Sequence, residues 1–143
     1  GNDVLDTILT EKSLACKENN IVVSCVADGK GLEFLHPIDL YTIFGNAMDN
    51  AIECVKNLQK QEKRQIDVLI HRQHQFLIVQ IMNPVEEELE FEDNLPVTTK
   101  HDKAYHGYGL RSIKNSVKKY NGVFQVKIKD GCFCLKILFP IKE

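Results

Sequence analysis

Between Leu40 and Leu58, apolar or small residues fall at 40, 43, 44, 47, 51, 54, 55 and 58. That spacing is a continuous helical stripe, and it predicts a long helix with one buried face. Such a helix must lay its stripe on a second layer, and the rest of the chain offers strands. Ile66–His71 and Phe76–Met82 alternate around Arg72-Gln73-His74-Gln75, the pattern of a hairpin. Val123–Ile128 and Phe133–Phe139 alternate around Asp130-Gly131, which predicts a type I′ turn.

The remaining segments fill in the order. Apolar residues at 4, 5, 8, 9, 15 and 16 predict an amphipathic helix over 4–17. Ile21–Ala27 is β-branched and bounded by Asn19-Asn20 and Asp28-Gly29, so it is expected as a strand. A shorter strand is expected near Leu32–Leu35, then a stop at Pro37, with Asp39 as N-cap of the long helix. Val85–Leu95 is acidic and irregular, and Thr98–His106 is polar without periodicity, so a long loop is expected there. Gly109–Tyr120 is expected as a further helix, ended by Asn121-Gly122. The sum is an α/β two-layer sandwich with a mixed, mostly antiparallel sheet and helices on one face. At 143 residues it is one domain, spanning 1–143.

Composition removes several classes of function. The net charge is −2, so no global field favours nucleic acid or anionic lipid. No apolar run approaches the ~20 residues of a membrane span. The five cysteines, at 16, 25, 54, 132 and 134, are odd in number and lie mostly among apolar neighbours. A reduced, cytoplasmic setting fits them better than a disulfide scaffold. Cys132-Phe-Cys134 lacks the spacing and the second pair of a zinc site.

Two polar constellations remain. Asn46, Asp49, Asn50, Glu53 and Asn57 cluster on one side of the long helix. Asn is a mediocre helix former, yet Asn46 and Asn50 sit four apart in mid-helix at the border of the apolar stripe. A pair of amide oxygens there can hold a Mg²⁺ ion or its waters beside a triphosphate. The second is His106-Gly107-Tyr108-Gly109-Leu110, where glycines let the backbone approach an anion at a helix start. It is neither a Walker loop nor a dinucleotide fingerprint.

In this order the two resemble a known superfamily. Phe44-Gly45-Asn46-Ala47-Met48-Asp49-Asn50-Ala51-Ile52-Glu53 looks like the N-box of the GHKL ATPases, and Thr98-Thr99-Lys100 followed by His106-Gly107-Tyr108-Gly109-Leu110-Arg111-Ser112-Ile113 looks like their lid and second glycine box. The element order is similar to their Bergerat fold, and closest to the catalytic domain of peptide-sensing, quorum-type sensor histidine kinases of Gram-positive bacteria. The resemblance implies ATP and Mg²⁺ as ligands. It makes Asn50 the metal-binding residue, with Asn46 beside it on the phosphates. Gly107, Tyr108, Gly109 and the backbone through Leu110 and Arg111 would cradle the phosphates, under a lid carrying Thr98, Thr99, Lys100 and His106.

The sequence also departs from that pattern. The first glycine box, expected after Phe76–Met82, is replaced by Asn83-Pro84-Val85, so Asn83 stands where an Asp reads the adenine amino group. An Asn carbonyl still accepts that bond, without charge assistance. Arg111 replaces the last glycine of the second box, and Asn46 stands where hydrolysing relatives carry a water-orienting Glu. An Asn cannot act as a general base, which favours phosphoryl transfer to a His over hydrolysis. His36, His71, His74, His101 and His106 all lie outside any helix able to build a dimerisation hairpin. The acceptor His is therefore expected on a separate domain of the parent kinase, upstream of an excised catalytic fragment. The expected partners are that domain and, indirectly, a response regulator, with the parent anchored in the cell membrane. An anti-sigma-type serine kinase, or a nucleotide-binding or interaction module with weakened catalysis, stands as the alternative.

Overall fold

The computed structural model describes the backbone of residues 2–86, 90–92, 95–97 and 103–141, and the side chains of 2–86 and 109–141. Helix α1 (Asp3–Glu18) starts at Asn2, whose Oδ1 accepts from the Leu5 N–H at 3.0 Å. It buries Leu5, Ile8 and Cys16. Asn20, at φ 57°, turns the chain into strand β1 (Val22–Ala27). The strand expected near Leu32–Leu35 does not form. A 3₁₀ turn covers Gly29–Leu32 instead, and Gly31 sits so close to Leu77 that an added Cβ would stand 2.7 Å from its Cδ1. Close packing across a bare backbone replaces extension there.

The long helix is built in three pieces: α2 (Pro37–Leu40), a π turn (Tyr41–Gly45) and α3 (Asn46–Val55). It begins earlier and ends earlier than its apolar stripe predicts. His36, not Asp39, is the N-cap, and its Nδ1 accepts from the Ile38 N–H at 3.1 Å. Pro37 fits the first turn, where a missing N–H costs nothing. Asp39 instead accepts from the Tyr120 hydroxyl and, at 3.0 Å, from Lys119 Nζ.

Strands β2 (Gln65–Gln73) and β3 (Phe76–Pro84) form the expected hairpin, with His74 at φ 56° in the turn. Within the acidic segment expected to be irregular, β4 (Glu90–Glu92) pairs antiparallel with β5 (Leu95–Val97). Helix α4 (Lys103–Lys118) begins six residues before the expected Gly109, so 103–106 are helical rather than loop. The glycines at 107 and 109 do not break it, because a glycine inside a helix costs only about 1 kcal/mol. Asn121, at φ 57°, ends that stretch as predicted. Strands β6 (Val123–Lys129) and β7 (Cys132–Pro140) follow. Both central residues of their turn have positive φ, 53° at Asp130 and 72° at Gly131, as a type I′ turn requires.

The five-stranded sheet runs β1-β2-β3-β7-β6, with β1 parallel to β2 and the other pairs antiparallel. The mixed, mostly antiparallel α/β sandwich expected from the sequence is the fold. Its inner face is Ile66, Val68 and Ile70 of β2, Leu77, Val79 and Ile81 of β3, and Phe133, Leu135, Ile137 and Phe139 of β7. Ile43, Phe44, Ala47, Ala51 and Val55 close over it, with Ile113 and Val117 of α4. Each such large apolar side chain contributes about 1.5–3 kcal/mol by leaving water. On the other face of the sheet, Val22, Val26, Phe76 and Val123 remain exposed.

Candidate functional site

Along the inner face of β3 the sequence runs Leu77, Val79, Ile81 and then Asn83, because alternate residues of a strand share a face. The last is an amide in a core position, only 1% exposed. Its Nδ2 donates to the Pro84 carbonyl at 3.0 Å. The Cys54 and Cys132 thiols both lie near Asn83, which lowers their pKa values against the larger effect of burial. Asn83 Oδ1 is buried and has no hydrogen-bond partner among the described residues. Leaving such an acceptor unmade costs about 1–3 kcal/mol, and native folds keep few of them without a reason.

Asn46, Asn50 and Cys54 are spaced by four on α3, so they form one column along the helix. Cys54, the last of that column, lies near Asn83 at the end of β3. Burial pushes its thiol up to about 11, against the lowering effect of Asn83 and with Glu53 adding to the rise. The thiol is therefore protonated and inert at neutral pH. Asn50 is 8% exposed. Asn46 Nδ2 donates to the Thr42 carbonyl inside the π turn at 2.8 Å. Its Oδ1 lies against α4, where a Cβ added to Gly109 would stand 3.3 Å away. The bare backbone at Gly109 is thus what lets α4 close on Asn46. π turns recur where a helix must present a particular side chain, and this one ends at Asn46.

The rest of the predicted polar face disperses. Asp49 pairs with Lys12 of α1 at 2.7 Å, and Glu53 with Lys56 at 2.6 Å. Asn57 is exposed, beyond the end of α3. Leu110 is a core side chain at 1% exposure, while Arg111 is exposed. Gly107, Tyr108, Gly109, Leu110 and Arg111 lie inside α4, not ahead of it. The free N–H groups of its first turn are those of 103–106. His106 and Tyr108 are described by their backbone alone, and Thr98, Thr99 and Lys100 lie outside the described residues. Cys54 was not foreseen as part of the site. Its signal was the four-residue step from Asn50, masked by its fit to the apolar stripe.

The donor set suits a hard cation beside a polyphosphate. Among the described residues no group of three or more His, Cys, Asp or Glu side chains gathers to hold a metal. The oxygens on offer are the amides of Asn46 and Asn50, which match a Mg²⁺ ion that keeps most of its waters and takes phosphate as ligand. The orphaned Asn83 Oδ1 matches an amino donor on a base. A cavity of about 580 Å³ lies at the far end of the sheet, lined by Lys30, Phe34, Arg72 and Leu77 among others, and Asn46, Asn50 and Asn83 are not part of its lining.

Comparisons with known proteins define the class. The family model described as a GHKL domain matches residues 35–140. The chain belongs to the GHKL family. No curated protein matches the sequence. Among solved structures, the nucleotide-free catalytic domain of histidine kinase ThkA superposes with a TM-score of 0.73 at 17% identity, over 96% of this chain and 92% of that one. The Acinetobacter baumannii histidine kinase AdeS superposes with a TM-score of 0.71 at 14% identity, over 99% of this chain and 64% of that one. The fold is therefore that of histidine kinase catalytic domains, as the resemblance implied. Among the described residues no helix is long and apolar enough to cross a membrane.

Proposed function

We propose that this chain binds Mg-ATP and donates the γ-phosphoryl group to a His on a separate dimerisation domain of the same parent kinase. A response regulator would receive the phosphoryl group from that His. The observation that carries this reading is the buried Asn83 Oδ1, unpartnered among the described residues. An adenine amino group is the donor it lacks, and the residue occupies the place of the adenine-reading Asp in the GHKL pattern. Asn50, with Asn46 beside it, would hold the Mg²⁺, which supplies charge neutralisation on the phosphates.

The protein's own task is positioning. Gly109 keeps α4 close to Asn46, and the backbone from Gly107 to Arg111 flanks the phosphates. Thr98, Thr99, Lys100 and His106 belong to the lid of this reading. Phosphoryl transfer needs little more than alignment and charge, and an incoming imidazole needs little help to lose a proton near neutral pH. In this reading the domain works on the cytoplasmic side of a membrane-anchored parent. Calorimetric titration with a non-hydrolysable ATP analogue, with and without Mg²⁺, is the test. Metal-dependent binding is expected. Absence of binding would leave an interaction module, and binding without transfer to the parent's helical hairpin would remove the kinase assignment.

A further inference from the structure

The sheet has two open edges, β1 and β6, and the sequence treats them differently. An edge strand presents unpaired backbone groups to any other strand, and natural sheets blunt such edges with charge. β6 does so, with Lys127 and Lys129 both exposed. β1 does not. Val22-Val23-Ser24-Cys25-Val26-Ala27 holds no charge, no proline and no glycine, the composition of segments that add to other strands. Val22 and Val26 are each 65% exposed, and Cys25 is exposed as well.

The open edge has a definite hydrogen-bond phase. The Val22 N–H donates to the Arg64 carbonyl at 2.9 Å and the Asp28 N–H to the Ile70 carbonyl at 3.0 Å, so the even-numbered residues spend their groups on β2. The N–H and C=O groups of Val23, Cys25 and Ala27 therefore point the other way, where no strand stands among the described residues. An antiparallel partner must meet them with its own outward-facing residues, because a hydrogen-bonded pair exchanges both of its N–H···O bonds. A second β1 does this by two-fold symmetry. With the axis through Cys25, Val23 faces Ala27 of the second copy and Cys25 faces Cys25, giving about six backbone bonds at two per pair. The same register sets Ser24 against Val26 on the outer face, and no like charges meet. A slip by one residue would oppose an outward-facing residue to one already bonded to β2, which closes that alternative.

We propose that the free edge of β1 pairs antiparallel with β1 of a second copy of this chain, joining two five-stranded sheets into one with both helical layers on the same side. Such a contact is isologous and closes on itself. It leaves the two lysine-guarded β6 edges outermost, where they stop further growth, so one bare edge and one guarded edge are what a dimer needs. The pairing is independent of the nucleotide reading, since Asn46, Asn50 and Asn83 take no part in it.

Sedimentation of the full chain, with amide exchange followed by NMR, tests it. Wild type should pass from monomer to dimer between about 10 µM and about 1 mM, the range of a small interface. In the dilute sample the amides of Val23, Cys25 and Ala27 should exchange fast while those of Ser24 and Val26 are slow. In the concentrated sample the three fast amides should slow by about tenfold, as about nine-tenths of the edges pair. Val26→Lys gives β1 the guard that β6 carries, and it should hold the chain monomeric with a native dichroism spectrum. Ser24→Lys, at another exposed position, repeats the test if that variant misfolds. A chain that stays monomeric at the high concentration, or a dimer in which the three amides stay fast, would overturn the pairing. So would a dimer that survives both lysine variants. Protection of the three amides only on adding an unrelated extended peptide would make the edge a receptor for another protein and overturn the second copy as its occupant.

Discussion

Tyr120 ties the two ends of the helical layer together, and its hydroxyl can be removed without touching its packing. The hydroxyl donates to Asp39 Oδ2 and accepts from the His36 N–H at 3.0 Å. The ring packs edge-on against Phe34 and Phe139, with centroids 5.8 and 6.1 Å away. Tyr120→Phe keeps those contacts and deletes two hydrogen bonds, the one from the exposed His36 N–H and the one that decides the magnitude, to a charged, 6%-exposed carboxylate. A bond of that kind is worth roughly 1.5–3 kcal/mol. Lys119 remains on Asp39, but its side chain is 63% exposed, so solvent screens most of what it adds. The expected loss is about 2 kcal/mol, or about 4–8 °C in melting temperature for a chain of this size. The pH dependence carries a sign. The Tyr120 bond, opposed by burial and helped by Lys119, holds the Asp39 carboxyl below its usual range. A depressed carboxyl adds stability that is complete above its unfolded value, about 3.9, and fades as pH falls through the lower folded one. Burial, then the Asp39 bond, pushes the Tyr120 phenol up. That part is complete below about pH 10 and fades as pH rises through the higher folded value. Thermal melts followed by circular dichroism should therefore separate wild type from Tyr120→Phe most widely near neutral pH and least at pH 3. Equal melting temperatures at pH 7, or a gap that persists undiminished at pH 3, would refute the argument.

Further outcomes follow from the same structure. Asn50→Ala should abolish the Mg²⁺-dependent part of ATP-analogue affinity while leaving the dichroism spectrum native; undiminished metal dependence in titration would move the metal elsewhere. Gly109→Ala gains about 1 kcal/mol of helix propensity against a 3.3 Å contact with Asn46 Oδ1, so its melting point should hold or rise while nucleotide affinity falls. Gly122→Ala places a Cβ 2.6 Å from Val117 Cγ1 and 3.1 Å from the Leu138 carbonyl; denaturant titration should show a loss of about 1–3 kcal/mol. On the proposed reading, which puts Asn46 in the water-orienting position, the isolated chain should release phosphate slowly and acquire no acid-labile label, which radiolabelled ATP would check.

The elements legible in the sequence are those whose cause is local. Asp130-Gly131 demanded positive φ at two adjacent residues, and the β6–β7 turn has it. The alternation of Phe76–Met82 set the inner face of β3, and so carried Asn83 into the core. What escaped the sequence depends on partners far along the chain. Asp39 looks like a cap by its position, yet its carboxylate is claimed by Tyr120, 81 residues away, leaving the cap to His36. Gly107 and Gly109 read as a helix start because glycine is a poor helix former. The packing of α3 on α4 outweighs that preference and runs the helix through them. Cys54 counted as one more apolar position, since nothing in a stripe says which small residue meets a strand-end amide.

The π turn at Tyr41–Gly45 has a consequence for descent. It spends one residue more than an α turn to make the same step, and each residue swings the helix by about 100°. Deleting any one residue between 41 and 45 would restore ordinary winding. Because the shorter turn makes the same step, Asn46, Asn50 and Cys54 would still face as they do against the layer held by Asp39. A lineage could therefore gain or lose one residue between 41 and 45 while every residue from Asn46 to Val55 kept its direction. The cost would fall on the turn itself, where the Thr42 carbonyl accepts from Asn46 Nδ2. An alignment of divergent relatives should accordingly place a one-residue gap between Asp39 and Asn46 rather than slide the amides out of register.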